Sequence, residues 1–345
     1  MARVHTILAN QQRFTARTGE PILDAALSHG VPFPHDCRAG RCGTCTAKVV
    51  KGVALGGDAG KPGFIHACQA RALGDLVLEY EAVPPVQTIA ATVAALVERG
   101  PDVMEVGLRL SQTMEILPGQ YCRFRFKGFP ERSFSPTHPA DGSPQRHDLN
   151  LHIRRVRNGR VSTALGRTIR VGHRVRVTGP YGNAYLRPKS EQRLVLIAGG
   201  TGYAPILAIA KAALKENPER RVAIVCGARS TPQLYMVNSL IQLLRYPGTD
   251  VTVTADVVEP EWAGRVQPGS PADHVPDLGE RDIVHAAGAP VMVSRIAEAV
   301  EATGADFYSD PFEASSAGSS NDGLFGLARD FWSSMVRPAE TRARS

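Results

Sequence analysis

Four cysteines constrain this chain more than any other feature. Cys37, Cys42 and Cys45 stand at C-x4-C-x2-C spacing, and Cys68 follows with 22 residues between it and Cys45. A short loop carrying three thiolates, closed by a fourth from a later segment, is the arrangement that holds a [2Fe–2S] cluster. Arg38, Ala39, Gly40 and Arg41 fill the first gap, and Gly43 and Thr44 the second. Glycines there let backbone N–H groups turn inward toward sulfide and thiolate and offset their charge. A four-cysteine zinc site is the competing reading, but it normally uses two close C-x2-C pairs, and only Cys42 and Cys45 are so paired. Around the loop, the apolar pattern predicts two short strands over residues 4–16, an amphipathic helix over 21–29, and strands over 47–53 and 76–82. That is a small β-grasp domain with its metal loop at the rim. Cys122 and Cys226 sit in apolar strand patterns and read as buried free thiols.

Such a domain uses only part of the chain. A length of 345 residues exceeds what one hydrophobic core organises, so two or three compact units are expected. With 43% hydrophobic residues the chain is not disordered as a whole, and six cysteines over this length are not a disulfide scaffold. No basic segment followed by an apolar one opens the sequence, so a cytoplasmic location with reduced thiols is expected. The uncharged run 194–210 is interrupted by Gly199, Gly200, Gly202 and Pro205, which suits a strand, turn and helix better than a membrane span.

After the linker-like Val83-Pro84-Pro85, strand patterns recur over 90–98, 103–110, 120–126, 132–137, 148–156 and 173–178, with turn residues between them. Short strands at this spacing predict an antiparallel β-barrel. From Leu194 onward apolar strands and helices alternate, which predicts a parallel, Rossmann-like sheet with crossover helices. Gly199, Gly200, Thr201 and Gly202 then fall at the carboxyl end of its first strand, where a dinucleotide binds. The expected class is therefore multidomain, α+β and α/β, with domains at 1–83, 84–190 and 191–312. Residues 313–345 begin with a Ser/Gly-rich linker, after which Leu324, Leu327, Ala328, Phe331, Trp332 and Met335 recur at helical spacing. That extra helix is expected to dock on its own domains or to stay disordered, with binding to an oxygenase partner the alternative and a membrane surface less favoured.

Charge separates these domains further. Residues 84–190 carry 17 basic and 7 acidic side chains, whereas 191–312 carry 10 and 15. The basic residues lie within alternating strands and beside glycine turns, without the run and interleaved aromatics of a nucleic-acid surface. A bound phosphorylated cofactor or an acidic partner protein fits them better.

Three pieces in the basic segment carry a resemblance. Arg132-x-Phe134-Ser135 resembles the R-x-[YF]-S flavin motif of the ferredoxin–NADP reductase superfamily, His152-Ile153-Arg154 follows on a later strand, and Gly159-x-Val161-Ser162 resembles its G-x-x-S pyrophosphate turn. The resemblance implies FAD, with Arg132 on the diphosphate, Phe134 on the cofactor and Ser135 near the flavin N5. An arginine fork and the start of a short helix after Thr163 suit a diphosphate physically. It further implies that Arg229 meets the adenosine portion and that Gly288 and Pro290 meet nicotinamide, with Phe312 shielding the flavin face. One departure stands out: the family's C-G-x-P turn has Ala287 in place of Cys here, which predicts less well-aligned hydride transfer. NADH is the expected donor, with NADPH the alternative: Arg229 could meet a 2′-phosphate, but no basic cluster accompanies it.

In domain order, residues 1–312 resemble the reductase components of bacterial ring-hydroxylating (Rieske) dioxygenases, the naphthalene and terephthalate kinds in particular. Nicotinamide gives up two electrons as hydride, whereas iron centres accept them singly, so the implied route is NADH to FAD to [2Fe–2S] to an oxygenase or its ferredoxin. Two alternatives use the same residues: electron supply to a diiron monooxygenase or a deoxysugar dehydrase, and a redox-sensing or zinc-binding interaction protein without turnover.

Overall fold

The computed structural model describes residues 3–188 and 190–312. The tail helix read from 313–345 lies outside the described residues. The first domain begins with a hairpin of β1 (Val4–Ala9) and β2 (Gln12–Arg17), followed by α1 (Ile22–Ser28), β3 (Thr46–Lys51), β4 (Ala54–Leu55), β5 (Phe64–His66), β6 (Arg71–Ala72) and β7 (Leu76–Glu79). Its main sheet runs β2-β1-β7-β3-β5, with β1 parallel to β7 and the other pairs antiparallel. α1 lays Ile22, Leu23, Ala25 and Ala26 onto this sheet, where they join Ile7, Phe14, Leu76 and Leu78. This is the expected β-grasp arrangement, with the long connection from α1 to β3 carrying the first three cysteines.

The second domain contains β8 (Gln87–Arg99), β9 (Val103–Leu110), β10 (Tyr121–Phe126), β11 (Arg132–Phe134), β12 (Leu149–Arg154) and β13 (Arg174–Tyr181). They pair antiparallel in the order β11-β10-β13-β8-β9-β12. Thr137, just beyond β11, bridges Asn150 on β12 and nearly closes the sheet into a barrel. Alternation on β10 sends Cys122, Phe124 and Phe126 inward against Leu108, Leu151 and Ile153. The short helix expected after Thr163 is absent; residues 156–169 form a chain of turns instead. Gly166, at φ 79°, takes the left-handed region three residues after Thr163 and ends a helix there. Upstream, the Thr163 hydroxyl donates to the Gly159 carbonyl (2.7 Å) and the Ser162 hydroxyl accepts from the Val156 N–H (3.2 Å).

The third domain holds β14 (Leu194–Gly199), α2 (Tyr203–Glu216), β15 (Val222–Ser230), α3 (Val237–Leu243), β16 (Thr249–Val257), β17 (Gln267–Pro268), β18 (Ile283–Gly288), α4 (Pro290–Glu301) and β19 (Asp306–Pro311). All strands are parallel, in the order β17-β16-β15-β14-β18-β19. β14 is buried on both faces, as a central strand of such a sheet must be. The chain leaves β14 toward β15 on one side and later returns to β18 on the other, so strand order reverses there and a crevice opens at its carboxyl end. Among the described residues no helix is long and apolar enough to cross a membrane.

Candidate functional site

The cluster loop is shaped by backbone that only small or permissive residues adopt. Gly40 and Gly43 lie in the left-handed region, at φ 71° and 68°. The Cys37 sulfur accepts N–H bonds from Ala39 (3.3 Å) and Cys42 (3.4 Å). Burial opposes a thiolate at Cys37, but the N–H groups of Ala39, Arg41 and Cys42 outweigh it and bring the thiol below its ordinary value. At Cys45 burial prevails and pushes the thiol up to about 12, so a metal ion would have to displace that proton. Gln69 reaches back from beside Cys68 to the Arg38 carbonyl (3.0 Å) and ties the fourth cysteine to the loop.

Among the described residues no three His, Cys, Asp or Glu side chains are set to share one metal ion. Cys37 interacts with Cys42 and Cys45 with Cys68, and Cys42 also acts on Cys45, so the four thiols share one neighbourhood. A binuclear centre takes two thiolates per iron, so four gathered thiols with inward N–H donors fit a [2Fe–2S] group.

Asp36, immediately before Cys37, fastens this loop to the barrel. The Tyr121 hydroxyl donates to one of its oxygens, and Arg123 Nη2 to the other (2.8 Å). Arg123 in turn lies over the Tyr181 ring at 4.3 Å. The third domain reaches the same place, because Ser135 Oγ donates to Asp310 Oδ2 (3.2 Å) at the end of β19. Burial, together with the nearby negative charge of Asp36 and despite the Ser135 bond, raises the Asp310 carboxyl to about 6. A second junction forms around Arg187: it pairs with Glu81 of the first domain (2.9 Å) and stacks on Tyr185 (3.9 Å) and on Tyr308 of the third domain (3.7 Å). All three domains thus meet twice.

The remaining motif residues divide between the surface of the barrel and its core. Arg132 and Phe134 sit half-buried on β11, with the Phe134 ring 5.9 Å from Phe124. His152 is buried, its Nε2–H donating to the His138 carbonyl (3.0 Å) and its Nδ1 accepting from the Tyr235 hydroxyl (3.2 Å); burial lowers its pKa to about 3, which keeps it neutral. Ile153 and Val161 point into the barrel core. Arg154 pairs with Asp102 (3.1 Å) and lies 3.8 Å from the place a Cβ on Gly200 would take, beside the dinucleotide turn. Ser162 is buried over Gly159, where any Cβ would overlap its hydroxyl.

Gly199 ends β14, and Gly200, Thr201 and Gly202 make one tight helical turn into α2. A Cβ on Gly202 would overlap the Ala287 carbonyl oxygen, so only glycine lets this turn pack so closely against the end of β18. Gly288 accepts the Phe312 N–H at its carbonyl (2.7 Å), which brings the half-buried Phe312 to the same edge. Pro290 opens α4 and Arg229 is exposed at the end of β15. Cys122 and Cys226 are buried, as expected, and far above their ordinary pKa because burial disfavours the thiolate.

Sequence reasoning passed over Asp36, Tyr121, Arg123, Arg187 and Asp310. The signal for two of them was at hand: Asp36 adjoins the first cysteine and Asp310 precedes Phe312 by two residues.

Comparison with known proteins adds to this geometry. The 2Fe-2S iron-sulfur cluster binding domain family matches residues 6–73, the oxidoreductase FAD-binding domain family 91–185 and the oxidoreductase NAD-binding domain family 196–298. The ferredoxin–NAD(P)(+) reductase component of the naphthalene 1,2-dioxygenase/salicylate 5-hydroxylase systems of Ralstonia sp is 32% identical over 301 residues, 81% of this chain and 89% of that protein. The corresponding component of the naphthalene 1,2-dioxygenase system of Pseudomonas putida is 30% identical over 330 residues, covering 89% and 97%. Terephthalate 1,2-dioxygenase reductase component 1 of Comamonas sp is 27% identical over 332 residues, covering 89% and 96%. Among solved structures, the Amycolatopsis cytochrome P450 reductase GcoB is similar at a TM-score of 0.66 and 28% identity, over 90% of this chain and 100% of that one.

Proposed function

Since this chain belongs to the ferredoxin–NAD(P)(+) reductase components of ring-hydroxylating dioxygenase systems, we propose how its residues divide the work of that family. The protein is an NADH-dependent flavin iron–sulfur oxidoreductase that passes electrons through FAD and [2Fe–2S] to an oxygenase or its ferredoxin. Bound FAD supplies the conversion from hydride to single electrons. Everything else is positioning and proton handling by the chain.

Cys37, Cys42, Cys45 and Cys68 ligate the cluster. Arg132 and the turn from Gly159 through Val161 to Ser162 take the flavin diphosphate, while Phe134 and Phe312 face the flavin and His152, Ile153 and Arg154 form the wall behind it. The turn of Gly199, Gly200, Thr201 and Gly202 takes the dinucleotide phosphates, Arg229 the adenosine, and Gly288 and Pro290 the nicotinamide. Ser135 Oγ donates its hydrogen bond to Asp310 Oδ2 when that carboxyl is ionised, and Asp310, raised to about 6, is the group at this seam that takes up and releases a proton. We assign domain limits at residues 83, 190 and 312, a cytoplasmic location suited to reduced thiols, and a docking role toward the partner for the helical pattern in 324–335.

One observation carries the reading: Asp36 beside the first cysteine is held by Tyr121 and Arg123 of the barrel, and Ser135 of the flavin motif on the same barrel holds Asp310, two residues before the terminal aromatic. Anaerobic NADH titration, followed by visible absorbance and electron paramagnetic resonance, tests it. Flavin bleaching accompanied by a reduced-cluster signal is expected. Bleaching while the iron stays oxidised would overturn the relay.

A further inference from the structure

The outward residues of β10, β13 and β8 form three rows across the barrel. Arg123, Thr178 and Thr88 make the first; Arg125 faces Arg176, which faces Ala90, in the second. In the third, the Lys127 N–H bonds to Arg174, which faces Thr92, and Thr92 faces Arg109 on β9. Rows are about 7 Å apart and strands about 4.8 Å, so five cations crowd a patch roughly 20 Å across. Arg109, Arg125, Lys127, Arg174 and Arg176 are all exposed. Among the described residues only Arg125 has a carboxylate partner, Glu131, at a loose 3.7 Å. Like charges directly opposite on a sheet cost stability, so the fold gains nothing from Arg125 facing Arg176.

Two further features give this face a direction. Its centre is a shallow groove of about 570 Å³ floored by Thr88, Ile89 and Ala90, with Arg125, Lys127 and Arg176 on its rim, and no residue of the flavin motifs lines it. Its first row ends at Arg123, whose guanidinium grips Asp36 next to Cys37. An acidic body seated on the cations would therefore abut the cluster loop. The small, flat floor offers no aromatic ring for base stacking, which disfavours nucleic acid.

We propose that the outer face of β8, β13 and β10 is the docking surface for an acidic protein partner that takes electrons from the cluster. This rests on the relay described above. Opposite charge would steer the encounter and set its register, with Arg123 and Asp36 fixing the distance from surface to loop.

The test uses the full-length holoprotein and an acidic plant-type [2Fe–2S] ferredoxin as probe. The variant Arg125→Glu/Arg176→Glu is compared with Arg245→Glu/Arg281→Glu, an equal charge change at exposed positions elsewhere. Affinity for the oxidised ferredoxin is measured calorimetrically at low and physiological salt, alongside the stopped-flow rate of its reduction. Expected is a fall of about tenfold or more in both affinity and rate for the face variant only, with a flattened salt dependence. Reduction of the chain's own cluster by NADH stays at the parent value. A face variant that binds and reduces the ferredoxin as the parent does overturns the proposal. So does tighter binding of duplex DNA or anionic vesicles than of ferredoxin by the parent face. Should NADH fail to reduce the cluster in the parent, the relay itself falls, and the binding arm, which needs no electron flow, still decides the docking surface.

Discussion

The cluster loop and the seam between flavin and nicotinamide domains solve similar positioning problems by opposite means. In the loop, three of four cysteines lie within nine residues, and glycines at positive φ aim the backbone donors. In the seam, Ser135 and Asp310 are 175 positions apart and meet only because β11 and β19 end at the same place. Local chemistry can be read from spacing; seam chemistry needs the folded sheet. A change in the loop should consequently damage one function cleanly, while a change in the seam should spread.

The largest contrast comes from Cys45→Ser. Cluster iron and electron delivery to any protein acceptor should be lost, while flavin content and its reduction by NADH persist; iron analysis and stopped-flow absorbance would show it, and a simultaneous loss of flavin would break the contrast. Next is Gly202→Ala in the seam. Its Cβ overlaps the Ala287 carbonyl, and forcing this turn from the end of β18 should cost about 2–3 kcal/mol in urea unfolding and raise the KM for NADH together.

Asp310→Asn should slow cluster reduction about tenfold and flatten its pH dependence near 6. Stability follows from the same raised carboxyl. The folded protein takes up this proton before the unfolded chain does, so the parent gains stability as pH falls from about 6 toward 4, and the variant should not. Arg123→Ala loosens the hold on Asp36; since Arg123 is 38% exposed, about 1 kcal/mol is expected, seen as faster hydrogen exchange over residues 36–45 with NADH oxidation by the flavin unaltered. Smallest is Ala287→Cys, which should raise the rate of flavin reduction a few-fold; an unchanged rate would remove alignment as the role of that turn.

Much of the fold was legible because alternation and its change to strand–helix periodicity are local. β9 occupies the predicted residues 103–110, and the inward Phe124 and Phe126 are two apart as a pleat requires. The helix expected after Thr163 failed for an equally local reason that periodicity does not register, the left-handed backbone at Gly166. Asp36 and Asp310 escaped notice because an isolated carboxylate carries no period; only its burial against a partner from another domain marks it. Arg123 and Arg187 look like ordinary strand and loop cations until their partners, 87 and 106 positions away, are seen.

Arg187 also bears on how such proteins are assembled from parts. One guanidinium is shared by a carboxylate from the first module, a phenol ring from the second and another from the third. A chimaera that imported a foreign ferredoxin cassette without an acid at the position of Glu81 would leave the cation that braces Tyr308 on its bonds to Asn183 and Tyr185 alone, with no anchor in the first module.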